Sequence, residues 1–259
     1  MKKILAVLIL LAAAFTSCDK DDSKGGTFKG PEVKFHDGKA WTWVKLDNEE
    51  KPLQVGVTIT DAAFNSVPFP QNMPPGHDMS NSFSLKLHAK AKVLPFTHIG
   101  LDWNPAGHEP PGIYDKPHFD YHFYMISEAD RLKIKPYEQD KAKFDNAPAQ
   151  GYLPAVYINP GGGVPAMGAH WINANSPELV PPHNFTETFF FGSFDAKVIF
   201  YEPMITHDFI KTVNGTFSKD IPQPTKFQAN GYYPTKWSIT RKNGVTEVIL
   251  DGFVYRTAS

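Results

Sequence analysis

Apolar and polar residues alternate most clearly in one stretch of this chain. In FSLKLHAKAKV (83–93) the apolar residues fall at every second position, which predicts one half-buried strand with Lys86, His88, Lys90 and Lys92 facing outward. Runs rich in aromatic and β-branched residues predict further strands at 41–47, 53–60, 97–103, 119–126, 185–191 and 196–201, with Gly192-Ser193 near the turn between the last two. Residues 237–241 and 245–255 flank Asn243-Gly244, a pair that tolerates the positive φ of a tight hairpin turn. Helical signals are few and short. Ser127 caps a segment that must end before Pro136, residues 137–144 suit a second helix, and Thr206 caps a third over 206–213. About nine strands against two or three short helices predict a mainly β fold, an antiparallel β-sandwich or open barrel.

Composition narrows the class. The chain has 259 residues with 14% aromatic and 20% charged side chains, which excludes a disordered polymer. Its 23 prolines and 19 glycines suit many turns and not a helical bundle. A net charge of -1 leaves no basic footprint for nucleic acid.

The N-terminus has a separate logic. Lys2 and Lys3 precede an apolar run from Ile4 to Phe15, too short to span a bilayer but suited to a secretory signal. Thr16-Ser17 then leads to Cys18, the chain's single cysteine. This looks like a bacterial lipoprotein signal over 1–17, cleaved before a lipidated Cys18. Residues 18–30 then read as a lipidated cysteine and flexible tether, and 31–259 as a single β-rich domain. The expected location is extracytoplasmic, held to a bacterial membrane through the lipid. The acidic cluster Asp19, Asp21, Asp22 resembles surface-export signals, which favours the outer membrane or cell surface. With Cys18 spent on the anchor, no thiol remains for a disulfide or a cysteine nucleophile.

Chemistry-bearing residues concentrate in one stretch. His98, His108, His118 and His122 fall together with Asp102, Glu109, Asp115 and Asp120, and His170 and Glu202 follow in GGGVPAMGAHW and KVIFYEPMIT. If 118–122 is a strand, His118, Asp120 and His122 share one face, neighbours being about 6.6 Å apart. His118 and His122 would then stand about 13 Å apart, too far to chelate together without a bulge. A helix would mimic the spacing of the metalloprotease motif, but Phe119 follows His118 where that motif needs a glutamate. The aromatic density favours the strand. Glu202 sits in an apolar run, where a carboxylate is costly unless paired or metal-bound. The set His118, Asp120, His122, His170 and Glu202 is therefore a candidate ligand group for a divalent transition metal: Zn, Fe, Mn, Cu or Ni. His108 and Glu109 are candidate acid/base groups, and His108 could also complete the ligand set. His36, His77, His88, His183 and His207 read as surface or loop residues. No GxSxG elbow or Walker A loop is present.

The motifs GHEPPGIYD, PHFDYHFYM, MGAHW and YEPMIT resemble those of a family of secreted bacterial proteins, a domain of unknown function, over residues 41–210. The resemblance implies an extracytoplasmic life and no particular mechanism. Two readings stand at this point. In one, the chain is a membrane-anchored metal-binding protein or metalloenzyme acting on a small-molecule ligand. In the other, it is a non-catalytic binding or assembly lipoprotein whose histidine cluster is structural.

Overall fold

Period-two patterning needs two things from the fold, a partner for each strand's backbone and a cover for its apolar face. A computed structural model describes residues 24–69, 76 and 81–259. The signal segment, Cys18, the acidic cluster and His77 lie outside the described residues. In chain order the strands are β1 (Gly26–Lys29), β2 (Val33–Phe35), β3 (Gly38–Leu46), β4 (Pro52–Thr60), β5 (Ser82–Lys86), β6 (His98–Asn104), β7 (His118–Tyr124) and β8 (Tyr157–Ile158). Then follow β9 (Ala169–Asn173), β10 (Glu187–Phe194), β11 (Lys197–Thr206), β12 (Gly215–Asp220), β13 (Gly231–Tyr233), β14 (Lys236–Lys242), β15 (Val245–Asp251) and β16 (Val254–Arg256).

They form an antiparallel sandwich. The first sheet runs β1-β3-β4-β15-β14-β12 with β2 beside β3, the second runs β5-β6-β7-β11-β10-β9-β8, and β13 pairs with β16. The main core lies between the two large sheets. Val44, Val55, Val57 and Val248 come from the first, and Ile99, Leu101, Phe119, Tyr121, Phe123, Phe191 and Tyr201 from the second. Every residue of β6 and β7 is buried, on both faces of the sheet.

The hairpin at Asn243-Gly244 forms as expected, with φ of 54° and 79°. Thr206 and Ser127 cap short helices, their side chains accepting from Phe209 N and Asp130 N. Four short α-helices occur among the described residues: α1 (Asp61–Asn65), α2 (Glu128–Arg131), α3 (Tyr137–Phe144) and α4 (His207–Thr212). The first was not expected from the sequence.

Three expectations change. The alternating segment 83–93 is a strand only as far as Lys86. His88 Nδ1 then accepts from Lys90 N at 3.1 Å and starts a 3-10 turn, Ala89–Val93. Alanine and lysine are weak strand formers, so the local cap overrides the alternation. Residues 26–29, expected within the tether, pair with β3 as β1. The strand β10 also runs through Gly192-Ser193 to Phe194, and the turn falls at Asp195-Ala196, both at positive φ. Gly192 is needed for packing, because a Cβ there would stand 1.9 Å from the Phe200 ring.

Candidate metal centre

Alternation along β7 sends Phe119, Tyr121 and Phe123 into the sandwich core and His118, Asp120 and His122 to the opposite face. The hairpin partner β6 sets Asn104 opposite His118, Asp102 opposite Asp120 and Gly100 opposite His122. On the other side, β11 sets Met204 opposite Asp120 and contributes Glu202, which is paired with Phe190 of β10. The strand β9 brings His170 opposite Gly192. The loop between β6 and β7 adds His108 and Tyr114, and Phe185 packs its ring against Tyr114 and His118.

The result is two three-residue groups, each with its ligand atoms within 4.8 Å of one another. One is His108, His118 and Asp120; the other is His122, His170 and Glu202. Each is centred on a buried carboxylate. Asp120 faces His118 Nε2 at 3.2 Å and His108 Nε2 at 3.6 Å. Glu202 faces His122 Nε2 at 3.3 Å and His170 Nε2 at 3.5 Å. Asp120 Oδ1, His122 Nε2 and Glu202 Oε2 are buried and take no hydrogen bond. Ligands bonded at about 2.0–2.1 Å around a tetrahedral ion stand about 3.3 Å from each other, close to these contacts, although the two imidazoles of each group meet different oxygens of its carboxylate.

The far side of the rings is equally informative. His118 Nδ1 lies 2.6 Å from Lys116 O, and His108 Nδ1 lies 2.8 Å from Glu109 O. A carbonyl only accepts, so both Nδ1 atoms carry a proton and each Nε2 is left to face the carboxylate. His122 Nδ1 lies 2.9 Å from Asp102 Oδ2, the carboxylate–histidine arrangement that orients metal ligands. Asn104 Nδ2 donates to Asp120 Oδ2 at 2.7 Å and lies 3.5 Å from His118 Nε2, steadying the first group.

Electrostatics follow from three buried carboxylates and several imidazoles packed together. Burial would lower the His122 imidazole, but Glu202, Asp102 and Asp120 outweigh it and hold it at about 9. Burial likewise opposes charge on His108, and Asp120 reverses the effect and raises it. Burial pushes the Glu202 carboxyl up, against the opposing pull of His122. Asp120 goes the other way: burial would raise it, and His118 and His108 hold it well below the usual carboxylate range. Without a metal the face therefore binds protons tightly, and a cation entering it must displace them.

All the residues expected at the site lie on this face or its rim, but in a different partition. His118 and His122 do not share a group, as the strand rise requires, and His108 joins the first group beside Asp120. Glu109 is exposed, and only its backbone carbonyl touches the group, through His108. Asn104 and Tyr114 were not foreseen. The β6–β7 register would have found Asn104, because positions 102 and 104 face 120 and 118. His207, expected at the surface, is buried, with its ring stacked on Phe64 at 4.4 Å. His36 and His183 sit at positive φ, and His88 caps its 3-10 turn.

A cavity of about 440 Å³ reaches both groups. It is lined by His108 from one and His170 from the other, with Tyr114, Phe190, the glycines 161–163 and the carboxylates Glu109 and Glu138. No family model, curated protein or solved structure matches this chain.

Proposed function

We propose that the protein is a lipid-anchored extracytoplasmic metal protein whose β domain holds two divalent transition-metal ions side by side. One ion would sit among His108, His118 and Asp120, the other among His122, His170 and Glu202. The observation that carries this reading is the anchoring of Nδ1 on His108, His118 and His122, which turns each Nε2 towards a buried carboxylate. Asp120 Oδ1 and Glu202 Oε2 lie 3.2 Å and 3.5 Å from an imidazole Nε2 without well-formed hydrogen bonds, so an ion among them would complete contacts that are poorly met without it.

Three protein ligands per ion leave a coordination position open, and the cavity would bring a small molecule or water to it. Ligands of this kind accept Zn, Mn, Fe, Cu or Ni. An ion here could lower the pKa of bound water and polarise an oxygen of the ligand. The lipoprotein part of the reading rests on the N-terminal sequence and on the resemblance to a secreted family.

The test is a melting series on the full-length protein, stripped with a chelator and then given each metal in turn. The reading expects at least one of these metals to raise the melting temperature by several degrees and the chelator to reverse it. No shift with any of them would hand the cluster to the structural alternative. The anchor is tested separately: Cys18→Ser should move the protein from membrane to soluble fractions.

A further inference from the structure

A second cavity, of about 370 Å³, opens at one end of the sandwich and differs in kind from the one over the metal groups. Its inner wall is the inter-sheet core itself: Leu94, Val198, Tyr201, Phe227 and Tyr233 line it and also belong to the main hydrophobic cluster. Its rim carries Lys92, Lys197 and Lys226, all exposed, and among the described residues its lining holds no aspartate or glutamate side chain, with Ser259 bonded at its edge to Tyr152 and Phe227. By contrast, the cavity over the metal groups is lined by Glu109 and Glu138 and by no lysine or arginine.

The pocket is built rather than incidental. Its far wall is the segment 224–231, which would otherwise be a free loop. Val198 N donates to Gln228 Oε1 at 2.6 Å and ties this segment to the first residues of β11. Tyr233 Oη donates to Ala229 O at 3.1 Å, and Ala258 N donates to Asn230 Oδ1 at 2.7 Å. These bonds fix the segment in place, and the pocket's floor is made of buried core side chains, Leu94, Val198, Tyr201, Phe227 and Tyr233. An apolar floor of this kind favours an apolar body over water. Most lysines elsewhere on the surface have carboxylate partners, as Lys39, Lys90, Lys133 and Lys219 do. The three at this rim take part in none of the ion pairs of the described residues.

We propose that this pocket binds a small amphipathic monoanion, a carboxylate with an alkyl or aromatic body. The body would lie against Leu94, Tyr201, Phe227 and Tyr233, and the carboxylate would sit among the three ammonium groups. The volume is in the range of small-molecule sites, and the charge pattern sets the sign of the ligand. The inference is independent of any metal.

The probes are decanoate and decyltrimethylammonium, matched in chain length and opposite in charge, both below their micelle-forming concentrations. The protein is the full chain carrying Cys18→Ser, so that no acyl group of its own competes, and binding is followed by calorimetry. Decanoate should bind and the cation should not. A triple variant, Lys92→Glu, Lys197→Glu and Lys226→Glu, should weaken decanoate at least tenfold while leaving metal content unchanged. All three side chains are exposed, so the variant should fold, and its melting temperature checks this. Equal binding of the two probes, no binding of decanoate, or an unchanged affinity in the triple variant would each overturn the proposal.

Discussion

The two faces of β7 are equally dry and chemically opposite. Phe119, Tyr121 and Phe123 fill the sandwich core, while His118, Asp120 and His122, one position out of phase, are also fully buried. Burial stabilises the first set through removal of apolar surface from water. It penalises the second, and the penalty is met by pairing each imidazole with a carboxylate and fixing its other nitrogen. A strand can thus be buried on both faces for different reasons, and only the second face has gaps sized for an ion.

That contrast can be broken most severely at His122. His122→Ala removes a ligand and leaves Glu202 and Asp102 facing each other without the imidazole between them. The metal-free protein should lose about 3–5 kcal/mol in denaturant melts, as when one partner of a buried pair is removed, and the second metal equivalent should be lost as well. Phe123→Ala probes the other face of the same strand. It should cost about 3–5 kcal/mol through cavity formation, yet leave the metal content of the folded protein unchanged. If both variants lost metal alike, the faces would not be separable.

A milder change is Asp102→Ala, which frees the Nδ1 side of His122 without touching a ligand. Metal affinity at that group should fall by about tenfold to a hundredfold, with stoichiometry intact at saturating metal. The other group, held by Lys116 O and Asn104, should not respond in competition titrations.

The smallest effect concerns His98, on the same face but in ion-pair contact with no carboxylate. Its ring stacks on Tyr124 at 4.9 Å, and burial together with nearby Arg131 lowers it to about 4. Between its unfolded value of about 6.5 and that lowered value, the unfolded chain takes up a proton that the folded chain refuses. This contribution is therefore fully present above about pH 6.5 and is lost as pH falls towards 4. From pH 7 to about pH 5 the His98 share of this loss should be about 2 kcal/mol in chelator-treated protein, and because the raised Glu202 carboxyl acts with the opposite sign in that window, it is read as the difference in slope between the parent and His98→Phe. An unchanged slope would show that His98 is not the source.

Much of the scaffold was legible because it rests on local signals. Runs of aromatic and β-branched residues marked β4 and β7, Asn243-Gly244 marked the turn into β15, and Ser127 and Thr206 marked their helix starts. Strands of two to four residues such as β1, β8 and β13 carry too few positions for a period to show. Alternation itself misled at 87–93, where a histidine side chain competes with the ladder for a backbone N–H. The candidate site was legible as a list of residues but not as a partition. Which carboxylate centres which group depends on the register of β7 with β6 and β11, and that register is set across a long loop and by nonlocal pairing. His108 reaches Asp120 from such a loop, so its spacing in sequence gave no clue to its place.

The most direct test of the two-ion reading is elemental analysis of the untagged full-length protein beside its His118→Ala and His122→Ala variants. Two equivalents of transition metal per chain, falling to one in each variant, is the predicted result. Fewer than a tenth of an equivalent in the parent protein, after growth and purification with Zn, Mn, Fe, Cu and Ni supplied, would contradict it.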